Sequence, residues 1–394
     1  MINRKGKKIL VGACALVACA VLVAAATTER GTCGSHDEER YLEAAKLGGL
    51  YLVNHLDDSG RYVYEYDPEF DVISKHYNIL RHAGTTYSLL ELYEVTRDDK
   101  YLIAAEKALD YLLEQTIPCP CFATAECVVE DDIIKLGGNG LAVLAMAKHA
   151  GATGSHKYLS HAQKLAEYIT SAQEEDGEFK IHTMGLLEGT VPNYPCQYFP
   201  GEAIFALARL HQIDGNEKWI NAAHKGAKWL IEVRDAGVSI DDLEHDHWLL
   251  YALNELHGDN ADELYVKHSK KITDAILALQ HKYYFGKIRE WNGGYYAPPR
   301  STPTATRSEG LAAAVQTFKR AGETKYAIKA QAAVRRGLDF QLKTQITPEK
   351  IAQLKCDQKA LGGFHADLVD YSIRIDYVQH NISAILGYLK ILKM

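Results

Sequence analysis

The sequence predicts an all-α (α/α)6 toroid: six helical hairpins with long loops on one face. Three observations carry this prediction. The first is an aromatic residue that opens a helix-like stretch six times, at Tyr41, Tyr101, Tyr158, Trp219, Tyr265 and Tyr326, with spacings of 60, 57, 61, 46 and 61 residues. A period near 60 with two helical segments per unit is the mark of stacked hairpins, none of which buries its apolar face alone. The second is an alternation of helix character. The third is an alternation of link length.

The first outer helix starts at Tyr41, and its inner partner covers Thr85–Val95. The link TRDDK at 96–100 leads into KYLIAAEKALDYL, followed by an inner helix over Gly140–Ala150. KYLSHAQKLAEYI from Lys157 precedes Glu202–Gln212, and KWINAAHKGAKWL from Lys218 precedes His247–His257. The stretches from Tyr265 and Tyr326 precede Glu309–Arg320 and Gln379–Leu392. Outer stretches such as Lys157–Ser171 keep Lys, Gln and Glu on one face. Inner ones such as LAVLAMAKHAG and AIFALARLH carry little charge. A helix apolar most of the way round is buried, so a buried ring lies inside an amphipathic one. Inner-to-outer links are turn-like, as in IDGNEK at 213–218 and RAGETK at 320–325. Outer-to-inner links are long and carry Gly-x-aromatic steps at Gly60–Tyr62, Gly177–Glu178–Phe179, Gly293–Gly294–Tyr295 and Gly362–Gly363–Phe364, where short β-like excursions are expected. Long loops on a rigid scaffold place the functional face where the inner helices begin.

Residues 1–26 read differently. Arg4, Lys5, Lys7 and Lys8 precede an uncharged apolar run from Ile9 to Ala26, the pattern of an export signal or a membrane anchor. Leu16-Val17-Ala18-Cys19 also resembles a bacterial lipobox, and cleavage after Ala24-Ala25-Ala26 is a further route. Each places the body outside the cytoplasm, on the periplasmic or extracellular face, with membrane contact through that segment or a lipid only. A linker over 27–37 and one toroid domain over 38–394 follow. Without the leader's four basic residues the formal charge moves from −7 to −11, which argues against nucleic acid as a partner. Six cysteines lie beyond the leader: Cys33, Cys119, Cys121, Cys127, Cys196 and Cys356. Disulfides or free thiols fit an exported chain, and the Cys119/Cys121/Cys127 spacing does not suit structural zinc.

Six hairpins with long decorated loops before Ala/Leu-rich inner helices resemble the six-hairpin glycosidase superfamily, over about Tyr41 to Leu392. That group contains glycoside hydrolases, unsaturated-glucuronyl hydrolases and N-acylglucosamine 2-epimerases. The resemblance implies a carbohydrate site in a funnel at the N-terminal ends of the inner helices.

Polar residues ring that funnel: Arg81 and His82; Asp131, Asp132 and Asn139; Tyr198 and Glu202; His245, Asp246 and His247; Arg307 and Glu309; Arg374, Asp376 and His380. Arg81, Arg307 and Arg374 fall on adjacent hairpins once the ring closes, and Arg suits a bidentate grip on a carboxylate. Glycoside hydrolysis needs two carboxyl groups, one of them protonated, and Glu202, Glu309, Asp376 and Asp132 are the catalytic candidates. Arg81, His82, Tyr198, Asp246, His247, Arg307, Arg374 and His380, with Trp291 and Tyr295 as aromatic platforms, are the expected substrate contacts. An exported hydrolase of an acidic poly- or oligosaccharide is the leading expectation. A non-catalytic glycan-binding or polysaccharide-assembly factor is the second. An epimerase or lyase using His82, His247 and His380 is the third, since proton abstraction beside a carbonyl needs two acid/base groups. The 2-epimerase group resembles this in using barrel histidines, although its usual substrates are cytoplasmic. No phosphate-binding, zincin or nucleophile-elbow motif is present, and no metal or cofactor is expected.

Overall fold

The structure, a computed structural model, describes residues 37–120, 122–187, 192–258, 262–284, 287–354 and 357–394. The leader and its attachment, Cys33, Cys121 and Cys356 lie outside the described residues. The chain divides into Met1–Glu43, described only as the helical stretch 37–43, and the compact unit Ala44–Met394. No helix among the described residues is long and apolar enough to cross a membrane.

Helix α1 covers 37–54. The others of the repeat are α2 Ile79–Thr96, α3 Asp99–Glu114, α4 Leu136–Thr153, α5 Leu159–Ser171, α6 Phe199–Asp214, α7 Glu217–Trp229, α8 His247–His257, α9 Glu263–Leu279, α10 Ser301–Arg320 and α11 Thr324–Gln341. A short α12, Pro348–Leu354, lies in the last loop before α13, Ile375–Leu392. The even-numbered helices α2 to α10 and α13 form the inner ring: each packs on the next, and α13 packs back on α2. Their apolar side chains are buried on nearly every face, as the low charge of these segments predicts. The inner helices begin earlier than expected, by six residues in α2 and eight in α10. STPTATRS reads as loop by composition, yet α10 starts at Ser301 because Ser301, Thr304 and Ser308 bury their hydroxyls in hydrogen bonds. Glu309 is consequently in the third turn of its helix, below the mouth.

The repeated aromatic residues tie the outer ring together. Tyr101 of α3 donates its hydroxyl to the Lys46 carbonyl of α1, Tyr158 reaches Asp110 of α3, Tyr265 reaches His224 of α7 and Tyr326 reaches Asp274 of α9. The Gly-x-aromatic steps form a second tie. Gly177 and Gly293 have φ of +103° and +90°, and each lies directly against a carbonyl of the following outer helix, at Lys225 and Arg336. A Cβ would need a disfavoured backbone and would overlap that carbonyl. Tyr62, Phe179, Tyr295 and Phe364 are buried beneath these turns. Glutamines, buried at Gln280 and Gln345 and half-buried at Gln173, complete three of the joints: each donates to a carbonyl of the glycine turn and to one in an outer helix.

Two small antiparallel sheets line the loop face. One has the order β2-β1-β7, from Val72–Ile73, Glu65–Asp67 and Ile373–Arg374, and pairs the first hairpin's loop with the last one's. The other runs β3-β4-β5-β6, from Thr116–Pro118, Glu126–Glu130, Ile133–Lys135 and Thr183–Gly185. A disulfide joins Cys119 and Cys127 across β3 and β4. Gly177→Ala should lower unfolding free energy in urea titration by about 1–3 kcal/mol. Gly154→Ala, equally left-handed at φ +73° but with open space where its Cβ would go, should cost less, which separates the overlap from the backbone penalty.

Candidate active site

Ring closure creates a cavity of about 250 Å³ at the loop-face end of the inner helices. Its wall takes Arg81 from α2, Glu202 from α6, His247 and Trp248 from α8, Arg307 from α10, and Asp376, Gln379 and His380 from α13. Tyr198 and the exposed Tyr296 stand at its rim.

The imidazoles of His247 and His380 form the floor, with ring centroids 5.5 Å apart and planes at 78°. Glu309 lies against both. Its Oε2 accepts from Nδ1 of His380 at 2.9 Å and is 3.8 Å from Nε2 of His247. The imidazole of His247 makes no hydrogen bond among the described residues, and its Nε2 is buried without a partner. The two histidines therefore titrate in opposite directions. Burial, then the charges of His380 and Arg307, hold His247 well below the ordinary histidine range, so it is neutral. Burial alone would lower His380 too, but the charge and hydrogen bond of Glu309 raise it. Burial pushes Glu309 up to about 7, against the pull of His380, so the two share a proton near neutral pH.

Glu202 is the second unusual carboxyl. It is buried in the first turn of α6 beside Gly137, and Oε2 has no hydrogen-bond partner. Burial, with the charge of Asp246 adding to it, raises its pKa to about 8. Buried polar atoms are normally paired, so unpaired ones beside a cavity mark where a ligand's hydroxyls would bond. His247, Glu309 and His380 are also the one group of three among the described residues whose His and carboxylate ligand atoms all lie within 4.8 Å of one another, the approach an ion would need. Within the group Glu309 is hydrogen-bonded to Nδ1 of His380, and His247 stands beside that pair.

The three arginines differ in role. Arg374 makes a two-pronged contact with Asp376 at 2.6 and 3.0 Å, and Nε of Arg81 meets the same carboxylate at 3.2 Å. Asp376 is thus an anchor for two guanidinium groups and not the free acid or base its position suggests. Among the described residues Arg307 has no carboxylate partner. Its Nε donates to Nδ1 of His245 at 2.7 Å, and its guanidinium lies 5.1 Å from the ring centres of both Tyr295 and Tyr296. Burial, then the adjacent Arg307 charge, lowers His245 to about 4, which leaves it the neutral acceptor this contact requires.

Other expected residues lie elsewhere. Asp132 sits with Asp131 at the exposed β4–β5 turn, both with left-handed backbone, and borders a separate groove with Arg61 and Tyr77. His82 is sealed behind Tyr77, with Nε2 on the Ala108 carbonyl, and burial lowers it to about 4. Asp246 caps α8 through the Leu249 amide and pairs with Arg234, so it builds the wall without facing the cavity. Asn139 likewise ties Val128 to Lys135. Trp291 packs on His281 in a different loop cavity. Tyr295 is buried beneath Arg307 and acts as its support. Trp248 and Gln379 were not foreseen; each adjoins a singled-out histidine, and only helical phase distinguishes wall from core.

This geometry can be set beside known proteins. Solved structures that it resembles include a D-mannose isomerase, at 16% identity and TM-score 0.67 over 90% of this chain and 97% of that one. A cellobiose 2-epimerase from Bacillus thermoamylovorans B4167 gives 14% and 0.63 over 89% and 99%. An α-1,6-mannanase from Salegentibacter sp. HEL1_6 gives 14% and 0.63 over 90% and 100%. The fold is the six-hairpin glycosidase-like toroid. At these identities the likeness establishes the fold alone. No protein-family model matches the chain, and no curated protein sequence matches it.

Glu202 gives a test of the desolvated wall. Its folded pKa of about 8 exceeds its ordinary 4.5, so the stability it contributes is fully present below pH 4.5 and is lost as pH rises through 8. Glu202→Gln should therefore gain stability relative to the unchanged protein between those pH values, by on the order of 1–3 kcal/mol at pH 8 in chemical unfolding.

Proposed function

We propose that this chain is a carbohydrate-active enzyme that moves a proton beside the carbonyl of an open-chain sugar, as a sugar epimerase or isomerase. The observation that carries the reading is the pair His247 and His380, in contact range of one cavity and biased to opposite protonation states. Groups whose surroundings drive their pKa values apart are the natural base and acid. Neutral His247 is the base that takes the proton from the carbon next to the carbonyl. His380 is the acid, and the hydrogen bond from Nδ1 to Glu309 leaves Nε2 to deliver a proton. Return to the opposite face of the same carbon inverts it; return to the neighbouring carbon exchanges aldose and ketose. Arg307, without a carboxylate partner, is placed to meet negative charge at the cavity, either the enediolate oxygen or an anionic group of an acidic sugar. The similar folds of a mannose isomerase and a cellobiose epimerase make D-mannose and cellobiose the first substrates to try, with hexuronic acids beside them. The basic and apolar leader supports an exported enzyme that would meet sugars outside the cytoplasm, which cell fractionation would check.

Hydrolysis is the second reading, and Glu202 favours it: an unpartnered, protonated carboxyl on the cavity wall is the state of a general acid. It lacks an evident carboxylate counterpart, because Asp376 is taken by Arg81 and Arg374.

Incubation in D2O with reducing sugars, followed by proton NMR, separates the two. Deuterium at the carbon next to the carbonyl is the expected result, with losses of about 10²–10⁴-fold in His247→Ala and His380→Ala. New reducing ends without deuterium would overturn the proposal in favour of hydrolysis, and Glu202→Gln would then abolish them. The pH profile of kcat/KM should fall on the alkaline side as His380 loses its raised proton, and on the acid side only well below 6.5, where His247 becomes charged.

A further inference from the structure

Among the described residues, five that are not glycine have left-handed backbone: Asp71, Arg97, Asp131, Asp132 and Tyr296. Aspartate tolerates that region, and Arg97 is the residue that closes α2. Tyr296, at φ +73°, has neither reason, and a bulky side chain is disfavoured there. Two contacts hold it in place. Nε2 of His281 donates to its carbonyl at 2.5 Å, and the Arg307 guanidinium lies over its ring. The turn sends two neighbouring rings apart. Tyr295 is 2% exposed and supports Arg307 from within, whereas Tyr296 is 56% exposed and stands at the rim of the imidazole cavity. Backbone strain kept at the edge of a cavity points to a use for the side chain it presents.

The other rim aromatic is committed elsewhere, since Tyr198 meets the His247 ring edge-on at 5.8 Å. Beside Tyr296 the wall comes from the start of α10, with Thr302, Pro303 and Thr306. Arg307 ties the ring to that turn: it donates to the Pro303 carbonyl at 3.0 Å and to the Tyr296 hydroxyl at 3.4 Å. Oγ1 of Thr302 is buried with no hydrogen-bond partner among the described residues. An open aromatic ring near an unpaired hydroxyl is matched to a pyranose, whose C–H face packs on the ring while its hydroxyls bond at the edge. Size decides which pyranose this is. The cavity, at about 250 Å³, falls below the roughly 300–1,000 Å³ of pockets that enclose a whole drug-sized ligand. One sugar unit fits at the imidazoles, and a second joined to it must leave past the rim.

We propose that Tyr296 is the platform for the sugar unit next to the reacting one, so that the substrate is the reducing end of a disaccharide or longer oligosaccharide and not a free monosaccharide. The role of the inner unit rests on the proton-transfer reading above, but what occupies the rim is measurable without any reaction.

The test is isothermal titration calorimetry of the full chain with sugar alditols, which have no carbonyl and cannot react. Their inner unit is open-chain, as in the proposed reaction, and only the second ring differs between probes. At least one of the β-1,4- and α-1,6-linked hexosyl hexitols should bind about tenfold more tightly than the hexitol alone. Tyr296→Ala should reduce that preference to within about twofold, while Tyr296→Phe, which keeps the ring, should retain it. Tyr296→Asn should lose the preference as Ala does, yet unfold at the same or a higher urea concentration than the unchanged protein, because asparagine accepts left-handed backbone. A tyrosine kept only for packing would do the reverse. Equal binding of the hexitol and both hexosyl hexitols, a Tyr296→Ala that keeps the preference, or a Tyr296→Asn that keeps it and loses stability would overturn the proposal. If the preference is present but no disaccharide takes up deuterium, the proton-transfer reading fails and the platform stands.

Discussion

Closure of the inner ring is the constraint on which the site depends. The contact of α13 with α2 joins the two ends of a chain segment some three hundred residues long, and without it Arg81 and His380 would have no common cavity. The reason for closure is apolar. Six helices buried on nearly every face have no stable open form, because the first and last would each leave a side in water. A ring so formed is dry at its centre, and any polar group in it must find a partner or change its charge.

That dryness is what the site exploits. The same desolvation acts on His247, His380, Glu202 and Glu309, but their neighbours differ. His247 has no anion bonded to it and stays neutral; His380 has Glu309 and keeps its proton; Glu202 has neither and holds one. The arginines divide in the same way. Arg81 and Arg374 share Asp376, while Arg307 rests on neutral His245 and two tyrosines, which leaves its charge unspent at the cavity.

The outer ring serves a different purpose. Glycine turns, buried aromatics and glutamine bridges recur from hairpin to hairpin and fix each loop to the next outer helix. They lock the frame by backbone contacts that leave the inner helix starts clear. The mouth can then differ in every hairpin while the joint beneath it repeats.

The repeat, the two classes of helix, the Gly-x-aromatic turns and the long-loop end are all legible in the sequence, because each rests on local periodicity or local turn chemistry. Most of the polar ring was legible as a set, since helix starts can be placed to within two turns. The assignment of roles was not. Asp376 and Glu202 look alike in sequence, and what separates them is that two arginines from α2 and the β7 strand reach one and none reaches the other. His82 and His380 occupy matching places on their helices, yet one is sealed behind Tyr77 and the other faces the cavity above Glu309. Sequence by itself determined that six hairpins would close and at which end the long loops would lie, because burial of apolar surface is written residue by residue. Only the tertiary structure decided which charges meet, because a pKa depends on neighbours that the chain brings together from hundreds of residues apart.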